Sequence, residues 1–220
     1  MKISLLHSWL PKLLMPVFFL LAVVLPAQAG EVNLEPGSYV VFAAGDRAKR
    51  NIMVVDPAEG RPKVLADSPG AMDTQPAVGP DGRLAWIRQN GQDWDLIEDG
   101  RVLATGAMHL SPAYRPDGTL VATVSGNVDT SIYAFDSTGR KKLIVSGGEG
   151  GLAVSPVFSP DGNRLAYVSN QSDVAQIYVV DLARGGRGRA LTSGQTRNTD
   201  PNWSPKGDFI VFVSAEKDIC

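Results

Sequence analysis

Ser155-Pro156-Val157-Phe158-Ser159-Pro160-Asp161-Gly162-Asn163-Arg164-Leu165-Ala166-Tyr167-Val168-Ser169 reads as a short strand, a tight turn and a second strand. Pro160 presets φ at the second turn position, and Gly162 accepts the dihedral needed at the exit. Working outward, the polar loop from Asn170 to Ala175 leads to a third strand, Gln176-Ile177-Tyr178-Val179-Val180-Asp181. A turn from Leu182 to Gly188 then precedes a fourth, Arg189-Ala190-Leu191-Thr192. Four short strands joined by turns, called A to D here, make an antiparallel meander.

The unit recurs. Gln75-Pro76-Ala77-Val78-Gly79-Pro80-Asp81-Gly82 and Ser111-Pro112-Ala113-Tyr114-Arg115-Pro116-Asp117-Gly118 repeat its opening, and Asp200-Pro201-Asn202-Trp203-Ser204-Pro205-Lys206-Gly207 is a degraded copy. Gly82, Gly118, Gly162 and Gly207 follow one another at intervals of 36, 44 and 45, and Pro36-Gly37 stands 45 residues before Gly82. Strand B recurs at 39–42, 84–87, 120–123 and 209–212, strand C at 52–56, 95–98 and 132–136, and strand D at 63–65, 101–103 and 142–145. A fixed period of this size is the mark of a repeat architecture.

Strands B and C are apolar at consecutive positions, as when both faces of a sheet are covered. With no helical crossovers to do the covering, the covering layer is another sheet. Small four-stranded sheets stacked around an axis satisfy the period, the meander and the two-sided burial together, so the fold class is an all-β propeller. The blades fall near 37–67, 75–104, 111–145 and 155–192, with a partial one at 200–220. Counting strands leaves the first blade without A and the last without C and D, an apparently incomplete ring of about four to five blades. A shortened gene product, two arcs assembled into one ring, or a tolerated open arc would each account for that.

The run Pro156-x-Phe158-Ser159-Pro160-Asp161-Gly162-x-x-Leu165-Ala166-Tyr167-x-Ser169, with Ile177 to Leu182 and then Leu191-Thr192, resembles the TolB-type propeller repeat. The resemblance covers most of the chain. It implies the blade fold, and it is shared by the periplasmic Tol–Pal component, by the propellers of prolyl-oligopeptidase-like peptidases and by other exported proteins. The chain is expected not to be TolB itself. TolB carries a separate α/β domain ahead of six blades, whereas these repeats begin within ten residues of a predicted cleavage site.

That site comes from residues 1–29. Lys2 and Lys12, the apolar run from Leu13 to Leu25 and the small residues of Pro26-Ala27-Gln28-Ala29 have the layout of a cleaved signal peptide. The apolar run falls short of the ~20 residues of a spanning helix. Residues 30–220 would then form the exported propeller, located in the periplasm. Removing Lys2 and Lys12 from 21 basic residues leaves 19 against 23 acidic ones, a formal charge of −4. That balance argues against nucleic acid. The single cysteine, Cys220, allows no internal disulfide.

Strand direction puts the Pro-Asp-Gly turns on one face with the C–D turns, and the B–C and D–A loops on the other. The D–A loops feed the innermost strands, so Asp73, His109, Glu149, Arg197, Asn198 and Asp200 are candidates for contact with a ligand or partner. The competing reading makes each a solvated loop residue capping a turn. Asp81, Asp117 and Asp161 are structural. No nucleophile elbow, phosphate-binding loop or metal set is expected. Asp93, Asp95, Asp99 and Gly100 faintly suggest a calcium loop, but Ile97 offers no side-chain oxygen, and a strand ending in an Asp-Gly hairpin reads better. The expected function is a non-enzymatic module without cofactors that binds a protein or peptide of the cell envelope. The alternatives are the propeller of a peptidase or glycan-processing enzyme, a remnant without independent function, and self-association of open arcs.

Overall fold

Each Pro-Asp-Gly turn joins two antiparallel strands, and the meander it starts closes into one blade. The computed structural model describes residues 38–46, 49–185 and 187–215, and the backbone of a strand at Leu21–Val24. The rest of the predicted signal peptide, the Pro36-Gly37 anchor and Cys220 lie outside the described residues. Blade 1 comprises β1 (Leu21–Val24), β2 (Ser38–Gly45), β3 (Arg50–Val55) and β4 (Lys63–Ala66). Blade 2 comprises β5 (Met72–Val78), β6 (Leu84–Asn90), β7 (Asp93–Glu98) and β8 (Arg101–Ala104). Blade 3 comprises β9 (Met108–Tyr114), β10 (Leu120–Ser125), β11 (Thr130–Phe135) and β12 (Lys141–Val145). Blade 4 comprises β13 (Ala153–Phe158), β14 (Arg164–Ser172), β15 (Val174–Asp181) and β16 (Arg189–Ala190), and blade 5 is represented by β17 (Arg197–Trp203) and β18 (Ile210–Ala215). Within a blade every pairing is antiparallel. β1 pairs with β2, Leu21 opposite Val41, on the side where the other blades carry strand A.

Successive blades touch through single parallel bridges from strand C to the next strand A, Arg50 to Met72, Trp94 to Met108 and Thr130 to Leu152. Between the blades lies the core. Val41, Ile52 and Val54 of blade 1 pack with Leu84, Trp86 and Ile97 of blade 2. Ala85, Ile87 and Leu96 pack with Leu120, Ala122, Val124 and Phe135 of blade 3. Val121 and Ile132 then pack with Leu165, Tyr167, Tyr178 and Val180 of blade 4. Along β10, Leu120 and Ala122 turn to blade 2 while Val121 turns to blade 4. This division explains why the strand is apolar at consecutive positions. Each side chain buried this way is worth roughly 1.5–3 kcal/mol, and no one blade could bury both its faces alone.

Two boundaries differ from the sequence expectation. Strand A is longer than predicted and begins four residues before Val157, because the chain passes through the first proline instead of stopping there. It does so by a bulge. Gln75, Ser111, Ser155 and Asp200, each just before the proline, take positive φ of 52°, 47°, 53° and 55°. The ladder skips between Thr74 and Ala77, Val154 and Val157, and Thr199 and Asn202. Since proline cannot donate to a ladder, the bulge takes it out of the pairing. The polar loop expected from Asn170 to Ala175 is instead a tight hairpin around Asp173 (φ 67°), with Ser172 opposite Val174. The Asp-Gly hairpin after β7 is as read from the sequence, with Asp99 and Gly100 both at positive φ.

Candidate functional site

Strands A of neighbouring blades approach one another and form the inner wall of the arc. The Ser111 amide donates to Gln75 Oε1 (2.5 Å), tying β9 to β5, and Trp203 Nε1 donates to the Val157 carbonyl (3.1 Å), tying β17 to β13. The four bulges repeat at one level of this wall. They present Gln75, Ser111, Ser155 and Asp200 from four successive blades. Gln75 is exposed and the other three are half-buried. Thr199 Oγ1 donates to Asp200 Oδ2 (2.8 Å), which leaves Oδ1 as the more available carboxylate oxygen. Of the sequence candidates, Asp200 alone belongs to this row. Gln75, Ser111 and Ser155 were missed, although the signal was present: a polar residue stands before the first proline of every copy.

Asp73, His109 and Asn198 were expected on open loops, and that placement is corrected. Each is the second residue of a strand A and each is buried, at 0 %, 2 % and 5 % exposure. Ala153 holds the equivalent place in blade 4. Asp73 accepts from Ser68 Oγ (2.6 Å) and from Arg88 Nε (2.9 Å), and the Arg88 guanidinium lies over the Trp86 ring. His109 Nδ1 bonds to the Trp94 carbonyl of blade 2 (2.8 Å), and its ring meets Phe135 edge-on. Burial lowers its pKa, with the nearby Lys141 charge adding to the effect. Asn198 Nδ2 donates to Gln176 Oε1 of blade 4 (2.8 Å), while Gln176 Nε2 donates to the carbonyls of Gly194 and Thr196. Glu149 and Arg197 are exposed, and of the six candidates only Glu149 lies in a loop.

The opposite face is a set of latches. Arg83 Nη2 donates to the Gly118 carbonyl (2.7 Å), Arg115 Nε to Gly162 (2.8 Å) and Arg164 Nη2 to Gly207 (2.8 Å). Each arginine reaches the glycine of the next blade's turn. Arg83 also meets the buried Glu98 (2.9 Å), which accepts from Tyr114 of blade 3 (2.8 Å); burial and this bond push the Tyr114 phenol strongly upward. Asp81, Asp117 and Asp161 each accept from the backbone two residues on. Bonds from Ser159 and Asn163 hold the Asp161 carboxyl below its usual range. These aspartates are structural. Among the described residues no group of His, Cys, Asp and Glu is placed to hold a metal.

Residues 90–218, more than half of the chain, match the TolB β-propeller domain model. The chain belongs to the TolB β-propeller family. Among solved structures this TolB-type propeller is similar to TolB from Acinetobacter baumannii, with TM-score 0.67 and 21% identity over 82% of this chain and 48% of that one. It is also similar to an oligogalacturonate lyase in complex with manganese, with TM-score 0.58 and 20% identity over 79% and 54%. A third is a puromycin-hydrolyzing peptidase of Mycobacterium tuberculosis, with TM-score 0.56 and 21% identity over 84% and 30%. The TolB-type chain thus spans about half or less of each of these proteins, and the likeness is one of fold.

Proposed function

We propose that the chain is a periplasmic, non-enzymatic propeller that binds a protein or peptide segment of the cell envelope along its inner wall. The observation that carries this reading is the row Gln75, Ser111, Ser155 and Asp200. Four polar residues stand at one level, on bulges that take them out of the regular strand pairing. Bulges often re-aim side chains beside binding sites. The buried His109, the one histidine among the described residues, is committed to a blade seam and offers no open base. Export through the predicted signal peptide would bring the propeller to the periplasm, with blade 1 reduced to β2, β3 and β4 once cleavage after Ala29 removes β1.

The test is affinity capture from a periplasmic extract with the wild type and with a Gln75→Ala, Asp200→Lys double variant. A partner held by the wild type and lost by a folded variant is the expected result. Equal capture by both would remove the inner wall as the site. The enzyme reading draws on the lyase and the peptidase that share the fold. Turnover of oligogalacturonides or peptides by the wild type, lost in Asp200→Asn, would put it first.

A further inference from the structure

The seams between blades are built from equivalent positions filled by different residues, and one of these is a buried histidine. Three residues before the first proline of strand A stand Asp73, His109, Ala153 and Asn198. We propose that the seam between blades 2 and 3 is an acid-sensitive joint: protonation of His109 loosens β9 from β7 and thereby shifts the inner wall at Ser111, two residues along.

The geometry fixes where the proton must go. Trp94 offers a carbonyl, so Nδ1 carries the hydrogen and donates, and Nε2 holds the lone pair that accepts a further proton. The ring is 2 % exposed, lies edge-on to Phe135 of β11 and stands opposite Val124 of β10. Two charged side chains act on it. Asp95 on β7 favours the charged form and Lys141 on β12 opposes it, while the backbone carbonyls of Trp94 and Ala107 also favour it. Asp95 Oδ1 is itself buried without a hydrogen bond, a free acceptor on the side that favours the charged ring. Burial outweighs the favourable contacts, so the folded ring holds its proton less well than the unfolded chain does. The sign follows from linkage. A histidine with a lowered folded pKa leaves the seam intact at neutral pH, and the seam weakens as pH falls through the usual histidine pKa of about 6.5 toward the folded value. The trigger sits next to the strand-C-to-strand-A bridge between these two blades, Trp94 to Met108.

Hydrogen exchange, corrected for intrinsic rates, reads the joint between pH 7.5 and pH 5. The expected result is a several-fold loss of protection in β7 and β9 of the wild type, with β14 and β15 unchanged. His109→Asn should abolish that pH dependence, because it installs the uncharged donor that β17 uses at Asn198. The same acid loss in the variant, an unchanged seam in the wild type, or equal loss in blade 4 would each overturn the proposal. If the variant does not fold, NMR titration of the wild-type His109 ring decides: a pKa below the usual value supports the joint, and a usual or raised one refutes it. These readouts need no ligand, so they stand or fall apart from the binding function.

Discussion

Asp136 shows how much local chemistry one recurring residue carries. Its carboxylate accepts from Thr138 Oγ1 (2.6 Å) and from the amides of Thr138 and Arg140, and these bonds hold its pKa down at about 2. An Asx turn of this kind is legible in sequence, because aspartate at the head of a turn bonds its own backbone two residues on. Gly139, in the same turn, is not. Its φ of +81° is ordinary for glycine, but a Cβ there would stand 2.1 Å from the Leu103 carbonyl of blade 2. Gly139→Ala should therefore destabilise the protein by about 3 kcal/mol, combining left-handed strain with a clash against backbone that cannot move aside. Thermal melting checks this, and a change below 1 kcal/mol would show that the two blades separate easily.

At the scale of elements, strand pairing followed the apolar pattern, whereas the contacts between blades did not. Arg83, Arg115 and Arg164 occupy three different places relative to their own turns, yet each donates to the same glycine of the next blade. No alignment of the repeats exposes that, because what is shared is the acceptor in space. Arg164 also stacks on the Trp203 ring, 4.4 Å from its centroid. Arg164→Ala should cost about 1–2 kcal/mol, and limited proteolysis should release β17 and β18 first. Arg164→Lys should recover little, since an ammonium can neither stack flat nor hold the fork geometry. Cleavage rates equal to the wild type in both variants would mean that the latch carries no load. The bulged strands A belong to the same lesson. A proline in a strand reads as a boundary, and the chain crosses it by placing the preceding residue at positive φ.

Over the whole molecule, burial is uneven. Blades 2 to 4 expose apolar residues singly, such as Val102, Val128 and Leu143, while β18 and the residue before it leave Phe209, Val211, Phe212 and Val213 together between 43% and 58% exposed. An apolar strand edge of this kind pairs readily with other chains. Replacing Phe209 and Phe212 by serine should lower self-association at high concentration without unfolding blades 2 to 4. Light scattering with circular dichroism reads both, and association unchanged in the variant would clear β18 of the role. The all-β class, the blade period and the turns at the Pro-Asp-Gly copies were determined by the sequence alone, because turn chemistry and strand periodicity act over a few residues. Which residues face the inner wall was decided only by the tertiary structure. Asp73, His109 and Asn198 look like open polar groups until neighbouring blades close over them. Gln75, Ser111 and Ser155 look like strand boundaries until the bulge carries the strand through them. Burial and side-chain direction depend on blades stacking tens of residues apart, and local pattern carries no record of that.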